Sequence, residues 1–109
     1  MNEKHLHEGD AADALAALGN RTRLRIYRLL VRAGEDGLIV GEIQSRLLVA
    51  ASTLAHHLAT LAKAGLIDQD RQGRETICRA NYERVDALVG FLTANCCAGF
   101  ATDAEEDAA

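Results

Sequence analysis

The sequence has no proline and no tryptophan, one methionine, two tyrosines and two phenylalanines. So few aromatic residues beside many alanines and leucines favour helices over a β-sandwich. No apolar run approaches the roughly 18 residues a membrane span requires. The opening segment, MNEKHLHEGD, lacks the apolar core of a signal peptide, so a cytoplasmic protein is expected. With only Cys78, Cys96 and Cys97 in a reducing compartment, no disulfide framework is expected. Apart from His56 and His57 there is no grouping suggestive of a Ser/His/Asp or Cys/His centre. There is also no glycine-rich phosphate loop and no His-Glu-x-x-His pattern, and an enzyme is not expected.

An excess of positive charge is missing too, and at first sight the net charge of −4 disfavours a nucleic-acid partner. The distribution changes that. Residues 20–75 carry nine Lys/Arg against six Asp/Glu, a local +3, whereas the stretch before is −3 and the stretch after is −4. Phosphate binding depends on the local patch, so a DNA partner is permitted but not demanded.

The 109 residues suffice for one domain. Residues 1–9 read as a polar, frayed N-terminus, residues 10–97 as the folded domain and residues 98–109 as an acidic, disordered tail. A first helix is expected from Asp10 as cap, with Leu15 and Leu18 as its apolar residues and Gly19 ending it. Asn20 is placed to cap a second helix in which Leu24, Tyr27, Leu30 and Val31 repeat at helical spacing. Its arginines form a mainly solvated face, with one or two near the N-terminal end within reach of phosphate. Gly34 and Gly37 bracket a turn. A short third helix over about Val40–Leu47 turns Ile43 and Leu47 inward.

After a brief connection comes ASTLAHHLATLAKAG, from Ala51 to Gly65. Leu54, Leu58 and Leu61 fall on one stripe at i, i+4, i+7. At about 100° per residue, Ser52, His56, Thr60 and Lys63 point the other way. That outer face offers hydroxyls, an imidazole and an ammonium without an acidic group, which suits a DNA major groove. An ordinary amphipathic surface helix would show the same stripe. His57 lies at its edge as a wedged, partly buried side chain. Gly65 ends the helix.

LIDQDRQGRETICRA then reads as a hairpin with Leu66, Ile67 and Ile77 as apolar strand residues, and Gly73 supplying the positive φ of a tip flanked by Arg71 and Arg74. Two short helices joined by a tight turn and followed by an arginine-tipped hairpin make a winged helix-turn-helix, mainly α with a β-hairpin wing. A final helix from Asn81 is expected to run through NYERVDALVGFLTANCC, with Tyr82, Val85, Leu88, Val89 and Leu92 on one stripe. Together with Leu15 and Leu18 of the first helix, this stripe could form a dimer interface.

Three blocks, LGNRTRLRIYRLL, STLAHHLATLAKAGLI and RQGRETICRA, resemble in order and spacing the ArsR/SmtB family of bacterial winged-helix repressors, over about Ala11–Leu92. The resemblance implies a homodimer through the first and last helices, a palindromic double-stranded DNA operator and an inducer that ends binding. It also implies that Ser52, Thr53 and His56 contact bases or phosphates, and that Arg71 and Arg74 belong to the wing. Thr60 and Lys63 extend the same face.

The family's two-cysteine site in the helix before the recognition helix is absent, since that helix reads GEIQSRLL. The Asp/His site of the last helix is absent too, because no histidine follows His57. The sulfur remains. On a continuing helix Cys96 would follow Leu88 and Leu92 on the interface side, with Cys97 next to it and Cys78 on the second wing strand. Thiolates select thiophilic ions. Members of the family carry arsenic on vicinal cysteines near the C-terminus, and Asn-Cys-Cys looks like such a site. The expected inducer is therefore trivalent arsenic, as arsenite or methylarsenite, on Cys96 and Cys97 with or without Cys78. Oxidation or persulfide sensing by the same cysteines, and a regulator without a small-molecule inducer, are the alternatives.

Overall fold

The computed structural model describes residues 6–100. In chain order it has α1 (Glu8–Leu18), α2 (Arg21–Ala33), a short 3₁₀ turn (Gly34–Asp36), β1 (Leu38–Ile39), α3 (Val40–Leu47), α4 (Ala51–Lys63), β2 (Ile67–Gln72), β3 (Glu75–Ala80) and α5 (Tyr82–Thr93). None of these helices is long and apolar enough to cross a membrane.

One apolar core joins these elements. Ile26 and Leu30 of α2, Ile43 of α3, Leu54 and Leu61 of α4, Leu66 and Cys78 are all fully buried. The α4 stripe lies as its spacing predicts, with Leu58 also buried. Asn20 caps α2 by accepting from the Arg23 amide (3.0 Å), and Asn81 caps α5 by accepting from the Arg84 amide (3.1 Å). Each satisfies an amide that the first helical turn leaves without a partner.

The hairpin of β2 and β3 is antiparallel, with Gln72 opposite Glu75, so Gly73 and Arg74 form a two-residue tip. Gly73 takes φ +64, as such tight turns require. A third strand, β1, lies on the far side of β3, with Leu38 opposite Cys78 and Ile39 opposite Ile77. The expected architecture of five helices and a two-stranded wing thus gains a short strand. Two residues are too few to show a period, and only pairing with β3 makes them a strand. Gly37 precedes it at φ +66, where a β-carbon would stand 2.5 Å from the Cys78 carbonyl oxygen.

Four sequence expectations need correction. Helix α1 begins at Glu8 rather than Asp10, and Leu6 is buried, so the ordered domain reaches into the segment read as frayed. Its core face is Ala11, Ala14 and Ala17, whereas Leu15 is exposed and Leu18 only partly buried. Alanines let α1 approach its neighbours closely, and that packing outweighs the hydrophobicity of the leucines. In α2, Ile26 occupies the core in place of Leu24 and Val31, which are both exposed. Finally, α5 stops at Thr93. Ala94 turns out of the helix at ψ 138, and Asn95 and Cys97 take left-handed φ values of 61° and 63°. The acidic part of the tail, from residue 101 on, and residues 1–5 lie outside the described residues.

Candidate DNA interface and cysteine pair

Helix α4 is held from behind and at its C-terminal end. The Gly65 and Leu66 amides donate to the Ala62 and Leu61 carbonyls (2.9 and 3.0 Å), the paired bonds of a Schellman ending. Gly65 makes it possible at φ +79, and a β-carbon there would stand 2.7 Å from the Arg84 guanidinium of α5. The Asn81 amide donates to the Leu66 carbonyl (2.8 Å), tying the end of α4 to the start of α5. Behind α4, Arg23 donates through Nε to the Ala17 carbonyl (2.7 Å) and lies with Nη1 3.3 Å from His57 Nδ1. A guanidinium only donates, so Nδ1 is the acceptor and His57 is neutral there. Burial, then the charges of Arg23 and His56, push the His57 pKa below its ordinary 6.5. The expected wedge is correct, but its partner in α2 was not visible in the sequence.

The opposite face of α4 is open. Ser52, Thr53 and His56 are exposed on its first two turns. The N-cap, Ala50, has no side-chain acceptor, so the amides of the first turn remain for water or a phosphate oxygen. Thr60 is different: it is half-buried and its hydroxyl donates to the His56 carbonyl (3.1 Å). With the exposed Lys63 it borders a cleft against Asp13, Ala16 and Ala17 of α1. The predicted face is therefore split, with its N-terminal half outward and its C-terminal half beside α1.

The wing carries Arg71 and Arg74, both exposed. Arg71 Nε donates to the Gly73 carbonyl (3.1 Å), bracing the tip and leaving its terminal nitrogens to reach outward. Asp70 is engaged by Gln72 (2.9 Å) and by the Arg79 guanidinium (3.7 Å), which moderates the negative charge on β2.

The cysteines divide in two. Cys78, on the central strand β3, is fully buried, its pKa raised by burial, which outweighs a weak hydrogen bond from Gln69 Nε2 (3.7 Å). Cys96 and Cys97 are exposed, with sulfurs 3.4 Å apart. Among the described residues no three His, Cys, Asp or Glu side chains gather as a metal site. Cys78 therefore does not join the pair within the chain, and Cys96 does not extend the α5 stripe, because the helix has already ended. The pair itself fits a thiophilic centre: two bonds of about 2.3 Å, a length typical of metal–thiolate sulfur, meeting at slightly more than a right angle span such a separation.

A reading helix mounted on a second helix, beside a cationic two-stranded tip, defines a winged helix-turn-helix protein. A helix-turn-helix domain family matches residues 18–70. The HTH-type transcriptional regulator YgaV of Escherichia coli is 32% identical over 82 residues, spanning 75% of this chain and 81% of that protein. The transcriptional activator HlyU of Vibrio cholerae is 29% identical over 92 residues, 84% of this chain and 82% of its own. Among solved structures, the homodimeric winged helix-turn-helix DNA-binding domain of Mb0332 from Mycobacterium bovis, a possible ArsR-family transcriptional regulator, superposes with a TM-score of 0.64 at 26% identity, over 80% of this chain and 81% of that one. A possible transcriptional regulator for arsenical resistance gives 0.66 at 26%, over 75% and 82%. The chain belongs to the ArsR/SmtB family of winged helix-turn-helix transcriptional regulators. It is a DNA-binding regulator and not an enzyme.

Proposed function

We propose that this regulator is a homodimeric repressor that leaves a palindromic operator when a trivalent arsenical binds Cys96 and Cys97. The observation that carries the reading is the pair of exposed sulfurs 3.4 Å apart. Two thiols and a monomethyl arsenous acid, which carries two hydroxyls, condense to a dithiolate with loss of two waters. The sulfurs lose their protons, the arsenic loses its hydroxyls, and no electron is transferred. With Cys78 sealed in the core, two thiolates suit methylarsenite better than arsenite, which has a third position to fill.

In the repressor each α4 enters a major groove, with Ser52, Thr53 and His56 toward the bases or phosphates, and Arg71 and Arg74 against the flanking backbone. Two such helices engage half-sites about 34 Å apart. Leu15, Val89 and Leu92, exposed on α1 and α5, supply the dimer face. Closing a ring across Cys96 and Cys97 rearranges the segment that follows α5 and so disturbs that face. Allosteric couplings of this kind are typically about 1–3 kcal/mol, or 5–150-fold in affinity.

The test is fluorescence anisotropy on DNA upstream of the gene. Wild type and Cys78→Ala should dissociate with methylarsenite, whereas Cys96→Ser and Cys97→Ser should stay bound. Release of both serine variants at the wild-type dose sinks the arsenical reading. Release of wild type by peroxide or polysulfide, but not by arsenicals, makes the same pair an oxidation or persulfide sensor. His56→Ala should weaken operator binding by about 1–3 kcal/mol, the worth of a good base contact.

A further inference from the structure

The C-terminal half of α4 does not face outward with Ser52 and His56. With α1 it forms a cleft of about 310 Å³, lined by Asp13, Arg23, Thr60, Lys63 and three alanines. Pockets that hold small molecules begin near this size, at roughly 300 Å³. Neither the DNA-reading face nor the proposed dimer face uses it. Lys63 lies about 16 Å along α4 from Ser52, and Asp13 is about 160° around α1 from the exposed Leu15.

The polar groups in the cleft are of two kinds. Arg23 is half-buried and held in place, its Nε donating to the Ala17 carbonyl (2.7 Å) and its Nη1 to His57 Nδ1 (3.3 Å). Two of the five guanidinium hydrogens are thus engaged, and the others remain for an anion, as do those of the Lys63 ammonium. Thr60 has the opposite character. Its hydroxyl hydrogen is committed to the His56 carbonyl (3.1 Å), so toward a ligand its oxygen accepts, as does the Asp13 carboxylate. Among the described residues Asp13 forms no ion pair with Arg23 or Lys63, although all three line the one cleft. A lone inorganic anion would meet the like charge of Asp13, and a lone cation would meet two like charges. A ligand with two carboxylates and one ammonium answers all three groups, and its methylenes suit Ala16, Ala17 and Ala64.

We infer that the α1–α4 cleft binds a small acidic amino acid, with its carboxylates on Arg23 and Lys63 and its ammonium between Asp13 and Thr60. Such a ligand bridges α1 to the C-terminal half of α4. Through Arg23 it also connects to His57, on the back of the reading helix. The site shares no residue with the cysteine pair, so it does not depend on the arsenical reading and is tested without an arsenical.

Calorimetric titration of the full chain with L-glutamate and L-aspartate should give saturable binding, with amide NMR shifts concentrated at Ala16, Ala17, Thr60 and Ala64. Glutarate, which lacks the ammonium, and γ-aminobutyrate, which lacks one carboxylate, should each bind about tenfold or more weakly than glutamate, the effect of losing one charged hydrogen bond. Asp13→Asn should erase the preference for glutamate over glutarate, and Lys63→Gln the preference over γ-aminobutyrate. Both side chains are exposed, so both variants should keep the wild-type unfolding curve. No binding of either amino acid at millimolar concentration, or binding unchanged in both variants, overturns the site. Inorganic phosphate binding as tightly as glutamate would make the cleft a plain anion site and overturn the ligand class. In operator titrations, Lys63→Gln should leave the salt dependence of binding unchanged. A slope reduced by about 0.9 would place a DNA phosphate on Lys63 and overturn the proposal.

Discussion

Helices α4 and α5 each carry an apolar stripe at helical spacing, yet the fold uses them differently. In α4, Leu54, Leu58 and Leu61 are all buried within the chain, and the helix ends in a fully hydrogen-bonded glycine cap. In α5, Leu88 is buried, but Val89 and Leu92 are 55% and 56% exposed, and the helix ends with no glycine in that role. A stripe says that a helix packs; it does not say against what. The α4 stripe is covered by α2 and the sheet, which fixes the direction of Ser52, Thr53 and His56. The outer part of the α5 stripe, Val89 and Leu92, stays open, and the two exposed thiols follow the end of that helix. One stripe is thus spent within the chain, and the other is left partly uncovered.

Substitutions at equivalent positions in the two stripes should separate these roles. Leu54→Ala or Leu61→Ala leaves a cavity in the core and should cost about 2–5 kcal/mol in urea unfolding. Leu92→Ala should change unfolding of the monomer by no more than about 0.5 kcal/mol and should instead weaken self-association in sedimentation equilibrium. A large unfolding cost at Leu92 with unchanged association would remove α5 from the dimer face.

Thiol reactivity sharpens the same contrast. Thiolate is the reactive form, and burial keeps Cys78 protonated. Iodoacetamide followed by mass spectrometry should label Cys96 and Cys97 in the native protein and reach Cys78 only after denaturant is added. Equal labelling of all three under native conditions would contradict the burial of Cys78.

The smallest effect concerns the back of α4. The folded state resists protonation of His57, so in the region of pH 6.5 and below the unfolded chain takes up the proton first. Stability from this group is complete above the ordinary histidine value and is lost as pH falls through it towards the lowered folded value. Urea midpoints between pH 7.5 and 5.5 should therefore drop more steeply in wild type than in His57→Gln. Parallel slopes would mean that burial and the neighbouring Arg23 do not lower the His57 pKa in the folded state.

Much of this arrangement was legible in residue spacing. The α4 stripe, the asparagine cap at position 20, the start of the last helix near position 81, the glycine end at position 65 and a hairpin turned at Gly73 are local effects, each governed by residues within a few positions of one another. The outward placement of Ser52 and His56 follows from the stripe because a helix has only one opposite side, whereas Thr60 on that same side is half-buried beside α1. Reading further along the chain was less secure. The alanine face of α1 was hidden beneath its more hydrophobic leucines, and β1 exists only through pairing with β3 nearly forty residues away. The bond between Arg23 and His57 joins residues 34 apart, and no local pattern announces it.

The sequence by itself determined that Ser52 and His56 face outward on α4, that Asn20 caps α2 and Gly65 ends α4, and that two adjacent cysteines lie near the end of the folded domain. Only the tertiary structure decided that Cys78 is sealed away from that pair, that α5 stops before reaching it, and that Thr60 and Lys63 line a cleft with α1. Helical periodicity and capping act over a few residues and are written in the local order of side chains. Burial, sulfur–sulfur proximity and the cleft depend on which distant surfaces meet, and that is set by packing the whole core.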